Sequence, residues 1–122
     1  MEVNMATVRY DFPKTIKGDT FNGTLFTVTV NDLALDLTNA IVKMDLRLTP
    51  TGTIAKSFTS VGDADITISA TPTDGKFTIN RQIIDIDAGT YAYDIEIELA
   101  DGTIKTYISG NWTIIQDVTH VG

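Results

Sequence analysis

Carboxylates make up most of the residues in this chain that could do chemistry. Asp94, Glu96 and Glu98 stand at alternate positions, Asp85 and Asp87 flank one isoleucine, and "GDAD" at Gly62–Asp65 is an acidic loop. Glycoside hydrolysis uses two carboxyl groups set across a cleft. Alternate positions on one strand instead place Asp94, Glu96 and Glu98 side by side on one face, with Lys43, Arg47 and Lys105 available to balance them. A charged, solvated sheet face is the expectation. Calcium wants several converging oxygen ligands. Neither acidic stretch carries a full D-x-[DN]-x-[DN]-G loop or a closing glutamate, so both read as solvated turn carboxylates.

Nucleophiles and zinc ligands lack context. His120 is the only histidine and there is no cysteine, whereas a catalytic triad or a zinc site needs a positioned set of partners. His120 is expected to be an exposed tail residue. No G-x-S-x-G marks a serine nucleophile. The reading is therefore not an enzyme, with no catalytic residue, no metal and no cofactor. "NGT" (Asn22–Thr24) and "NWT" (Asn111–Thr113) match the glycosylation pattern by chance in a threonine-rich chain, and "KGD" is explained by turn chemistry.

The elements that would hold these residues are strands. "TLFTVTV" alternates Phe26, Val28 and Val30 against threonines, and "AIVKMDLRL" sets Val42, Met44, Leu46 and Leu48 inward with Lys43, Asp45 and Arg47 outward. "DITISA" and "KFTINR" repeat the pattern, turning Ile66, Ile68 and Ala70, then Phe77 and Ile79, inward. In "YAYDIEIEL" the inward set is Tyr91, Tyr93, Ile95, Ile97 and Leu99; Ala92, Asp94, Glu96 and Glu98 face out. A period of two sustained this widely predicts half-buried antiparallel strands. Turn signals separate them at "TPTG", "PTDG" and "ADG". A two-residue turn at Asp101-Gly102 would pair Leu99 with Ile104 and Glu98 with Lys105. By that alternation Tyr107 faces outward, Trp112 shares the inward set with Ile114 and Val118, and Ile114 and Ile115 cannot both face the core. Gly110 is expected to bend or break the ladder. "NDLALDLTNA" reads as a helical turn or a tight connection.

At 122 residues with 43% hydrophobic and 20% charged composition, the chain is one globular domain, with residues 1–7 as a flexible or partner-bound arm. About seven to nine strands with frequent turns give an all-β antiparallel β-sandwich. The net charge of −7 disfavours nucleic acid, whose binding begins with cations on phosphate. No run approaches ~18 apolar residues, so no membrane span is expected. Zero cysteines suit folding in a reducing cytoplasm. The start "MEVNMATVRYDF" has no basic segment followed by an apolar run, so no signal peptide is expected, and either Met1 or Met5 could begin translation.

The stretch "FTINRQIIDIDAGTYAY" resembles the E–F corner of immunoglobulin-like domains, with Asp87, Gly89 and Tyr91 at the corner and Tyr93 where a disulfide cysteine stands. In such a corner Tyr91 buries its ring and bonds the backbone just upstream, and Tyr93 fills the space between the sheets. Both are read as structural. From Thr15 to His120 the order of "TIKGDTF", "LDLTNA", "AGTYAYDIEI", "DGTIKT" and "GNWTIIQDVTH" is similar to the small immunoglobulin-like virion proteins of tailed bacteriophages, and to the N-terminal sandwich of baseplate upper proteins. Asn39 departs from that pattern, where a glycine is usual.

The resemblance implies a structural part of a tail, baseplate or head, made in the host cytoplasm, whose partners are other virion proteins and copies of itself. The contact is expected through unpaired sheet edges, by strand addition, and through exposed apolar side chains. Candidates are the segment "VRYDFP" (Val8–Pro13) and the strand "WTIIQDV" (Trp112–Val118), with Tyr10, Phe12, Tyr107, Trp112 and Ile115 as interface residues. The alternative is a host-surface carbohydrate-binding module using Tyr107 as its stacking ring.

Overall fold

Alternating sequence becomes paired strand almost throughout the computed structural model, which describes residues 2–4, 8–49, 51–63 and 65–116. Seven strands have four or more residues: β3 (Phe12–Ile16), β5 (Thr24–Val30), β7 (Ile41–Arg47), β8 (Ile54–Thr59), β10 (Lys76–Ile79), β12 (Gly89–Glu98) and β13 (Ile104–Ile115). Six are shorter: β1 (Glu2–Asn4), β2 (Val8–Arg9), β4 (Thr20–Phe21), β6 (Leu33–Ala34), β9 (Ile66–Ile68) and β11 (Gln82–Ile83). "NDLALDLTNA" forms turns and the short β6 rather than a helix. Asn39 there adopts φ 59°, the left-handed conformation that asparagine tolerates where glycine would otherwise be needed.

One sheet runs β1-β5-β10-β9, the other β2/β3-β13-β12-β7-β8, and β4 pairs with β11. Relabelled by chain position, the first is A-B-E-D and the second extends G-F-C, which is the strand order of an immunoglobulin sandwich. The protein is an all-β sandwich. Its core draws Phe26, Val28, Phe77 and Ile79 from the first sheet and Val42, Met44, Ile95 and Ile97 from the second, all 0% exposed. Residues 2–4, inside the expected arm, run parallel to β5.

The β12–β13 hairpin departs from the predicted register. Gly102 donates its N–H to the Leu99 carbonyl at 2.9 Å, and Leu99 donates to Thr103 at 2.8 Å. Ala100, Asp101 and Gly102 therefore make a three-residue loop, with Gly102 at φ 89°, the type I turn plus left-handed glycine that such loops use. Glu98 now pairs with Ile104 and Ile97 with Lys105. Ile104 is left 56% exposed. Between Ile95/Ile108 and Glu96/Thr106 the register slips, making Tyr107 the extra residue of a bulge. Tyr107 thus joins the inward side at 4% exposure, and Ile108, Trp112 and Ile114 regain the core. The expected outward Tyr107 is corrected by one loop residue.

Gly110 does not break the ladder either; β13 passes through it unbroken. A Cβ there would lie 1.9 Å from the carbonyl oxygen of Tyr10. Glycine serves close approach of the segment joining β2 to β3, not a bend.

Candidate functional site

At the E–F corner the backbone arrives at β12 through Asp87 and Gly89. Tyr91, 2% exposed, donates its hydroxyl to the Asp87 carbonyl at 2.6 Å. Burial first, and the Asp87 charge second, push the Tyr91 hydroxyl pKa above its ordinary 10.0. Asp87 contributes backbone to the corner, while its carboxylate pairs with Lys17 at 3.3 Å on the surface. Gly89 has no positive φ; a Cβ there would come within 2.9 Å of the Leu48 side chain. Among the described residues no three acidic, histidine or cysteine side chains gather as metal ligands. His120, Val118 and Ala64 of the acidic loop lie outside the described residues.

Two positions on, Tyr93 takes part in a seam that closes the sandwich. Its hydroxyl donates to the carbonyl of Tyr10. Tyr10 donates its N–H to Ser109 at 2.8 Å, and Asp11 accepts from the Asn111 amide at 2.9 Å. Beyond this point Phe12 stacks on Trp112 with centroids 4.3 Å apart, and the indole N–H donates to Thr15 at 2.9 Å. Burial, then the neighbouring Tyr10 and Asp11, push the Tyr93 hydroxyl pKa strongly upward.

The seam redistributes the predicted interface residues. Phe12 (4%) and Trp112 (0%) are core, and Tyr10 packs edge-on against Phe12 and Phe26. Only Ile115, at 41%, is exposed. The last strand is not a free edge, because β12 lies along one side and β2 and β3 along the other. The sequence could not reveal that β2 and β3 cover the last strand. The actual edge β3 carries Pro13 and Lys14, and the edge β8 has a bulge beside Arg47 and turns Lys56 to the same side as Phe58. Both are devices that discourage strand addition.

Two surfaces of the second sheet bear on function. The first is a set of exposed apolar residues at one end of the second sheet, which sequence reasoning missed apart from Ile115. Ile16 (40%) pairs with Ile115, and Leu48 (60%) abuts Gly89, itself opposite Ile114. Leu48, expected inward, lies past the end of β7 and stays exposed there. Ile54 (41%) follows on β8. The second is a polar depression of about 590 Å³ on the outer face of the same sheet. Its floor is Ala92, Ser109 and Gly110, and its walls include Arg9, Arg47, Asp45 and Asp94. Among the described residues no exposed aromatic ring stands on this face to stack a sugar, since Tyr93 and Tyr107 are both buried. No known protein-family pattern matches the chain, and no curated protein matches it.

Proposed function

We propose that this protein is a structural part of a tailed-phage virion, a rigid β-sandwich adaptor or decoration unit that works by surface contact with other virion proteins and with copies of itself. The observation that carries the contact mechanism is the set Ile16, Ile115, Leu48 and Ile54, each at least 40% exposed and all at one end of the second sheet. Apolar side chains gathered in this way mark association surfaces. The virion assignment rests on the ordered sequence phrases between Thr15 and His120. Contact through an apolar end differs from strand addition and does not need an open edge. Repetition in a symmetric particle would multiply a weak contact through avidity.

Mass spectrometry of purified particles, with copy number, tests the assignment. The chain is expected among the virion proteins, and a Leu48→Glu change at the apolar end should leave it folded but absent from particles. Its absence from wild-type particles would sink the reading. Glycan-array binding with no particle association would favour the carbohydrate module.

A further inference from the structure

We propose that the depression on the outer face of the second sheet docks a basic segment of a partner protein, seating a guanidinium or ammonium group between Asp45 and Asp94. The shape comes from small residues: Ala92, Ser109 and Gly110 leave the floor low between longer side chains on neighbouring strands. The charge comes from register. Asp45 on β7 and Asp94 on β12 are direct cross-strand partners, an arrangement in which like charges repel and cost stability. Asp45 has one hydrogen bond, from the Ser57 hydroxyl at 2.7 Å. Asp94 has no hydrogen-bond or ion-pair partner among the described residues.

The cations bordering the depression are already occupied. Arg9 pairs with Asp11 at 3.0 Å, and Arg47 donates to the Gly52 carbonyl. Glu96 has Lys43 opposite it on β7, whereas Asp94 meets a second carboxylate. An incoming positive group relieves the Asp45–Asp94 repulsion, and the flanking Arg9 and Arg47 confine it to that spot by repelling it elsewhere. The chain's net charge of −7 draws basic partners in from a distance. The inference supplies partner chemistry for the assembly reading and rests on it only in taking the occupant to be a protein.

The test is titration of the full chain with the peptide Ac-Arg-Gly-Arg-NH₂ at millimolar concentration, followed by amide chemical shifts. Shifts are expected at Asp45, Asp94, Glu96 and Ser109, weakening as salt is raised. The single Asp94→Asn change should weaken binding about fivefold, and the double change Asp45→Asn with Asp94→Asn should abolish it. The double variant should also melt a few degrees higher than the wild type, the opposite of what loss of a structural contact does. Asp85→Asn, at the remote corner, should change neither property. Shifts spread evenly over the acidic surface, none at all, or undiminished binding by the double variant would each overturn the proposal. So would a neutral trisaccharide such as maltotriose moving the same amides while the peptide does not. Particle association does not enter this readout, so the two readings fail separately.

Discussion

The corner at Tyr91 and the seam at Tyr93 lie two residues apart on one strand, and both end in a tyrosine hydroxyl bonded to a backbone carbonyl. Their acceptors differ. Tyr91 reaches four residues upstream, whereas Tyr93 reaches across 83. The corner needs only its own loop to form. The seam needs the last strand in place, β2 and β3 laid parallel to it, and a hole at Gly110 where the Tyr10 carbonyl fits. Closing a long loop costs more chain entropy than closing a short one, though only logarithmically. The greater difference is dependence: the seam fails if any of its distant members shifts, while the corner fails alone.

That contrast can be broken most severely at Gly110. Gly110→Ala drives a methyl group into the Tyr10 carbonyl, an overpacking against backbone that should cost about 3 kcal/mol or more. Urea unfolding measures the loss, and hydrogen exchange should show residues 8–16 released before the rest. A variant within about 0.5 kcal/mol of wild type would mean that the seam is not close-packed.

Tyr93→Phe is the next step down. It leaves the ring in place and removes one buried donor, for an expected loss of about 1–2 kcal/mol. The same variant sharpens the comparison through pH. Tyr93 holds its proton more tightly folded than unfolded, because burial and the neighbouring Tyr10 and Asp11 penalise the phenolate. Stability from this group is therefore complete below pH about 10 and falls as pH climbs from there toward the folded-state pKa. Tyr91 and Tyr107 are raised too, mainly by burial. Tyr93→Phe should thus flatten the alkaline decline without abolishing it. An unchanged slope would show that Tyr93 titrates no differently in the folded chain.

Tyr91→Phe should cost about 1 kcal/mol and loosen the E–F loop while leaving protection of residues 8–16 intact. Equal loosening of β2 and β3 would erase the distinction between corner and seam. The smallest effect belongs to Lys17→Ala, which deletes an exposed pair with Asp87; thermal melting should register less than about 0.5 kcal/mol.

Much of the core was legible as alternation. Phe26 and Val28, Val42, Met44 and Leu46, and Tyr91 through Ile97 face inward in the order that period two predicts, because successive side chains of a strand must point to opposite faces. Ile114 at 2% and Ile115 at 41% likewise divide as adjacent strand residues must. Alternation failed where it had to be counted across a turn. One residue more in the Ala100–Gly102 loop reversed the faces of Ile104 and Tyr107, and the bulge at Tyr107 restored Ile108 and the residues after it to their expected faces. The candidate interface suffered for a different reason: Phe12 and Trp112 carry no local mark of being each other's partners. Of the polar depression, the sequence showed Asp45, Arg47, Asp94 and Glu96 facing outward, but not the register that brings β7 and β2 around Asp94.

By itself the sequence determined that this chain makes strands, which faces of most of them are apolar, where most turns fall, and that the corner closes on Tyr91. These follow from interactions within a few residues. Only the tertiary structure decided that β2 and β3 seal the last strand, that Gly110 is a socket and that Asp45 confronts Asp94. Those depend on which distant strands become neighbours and in what register, and a shift of one residue in a loop changes every face that follows it.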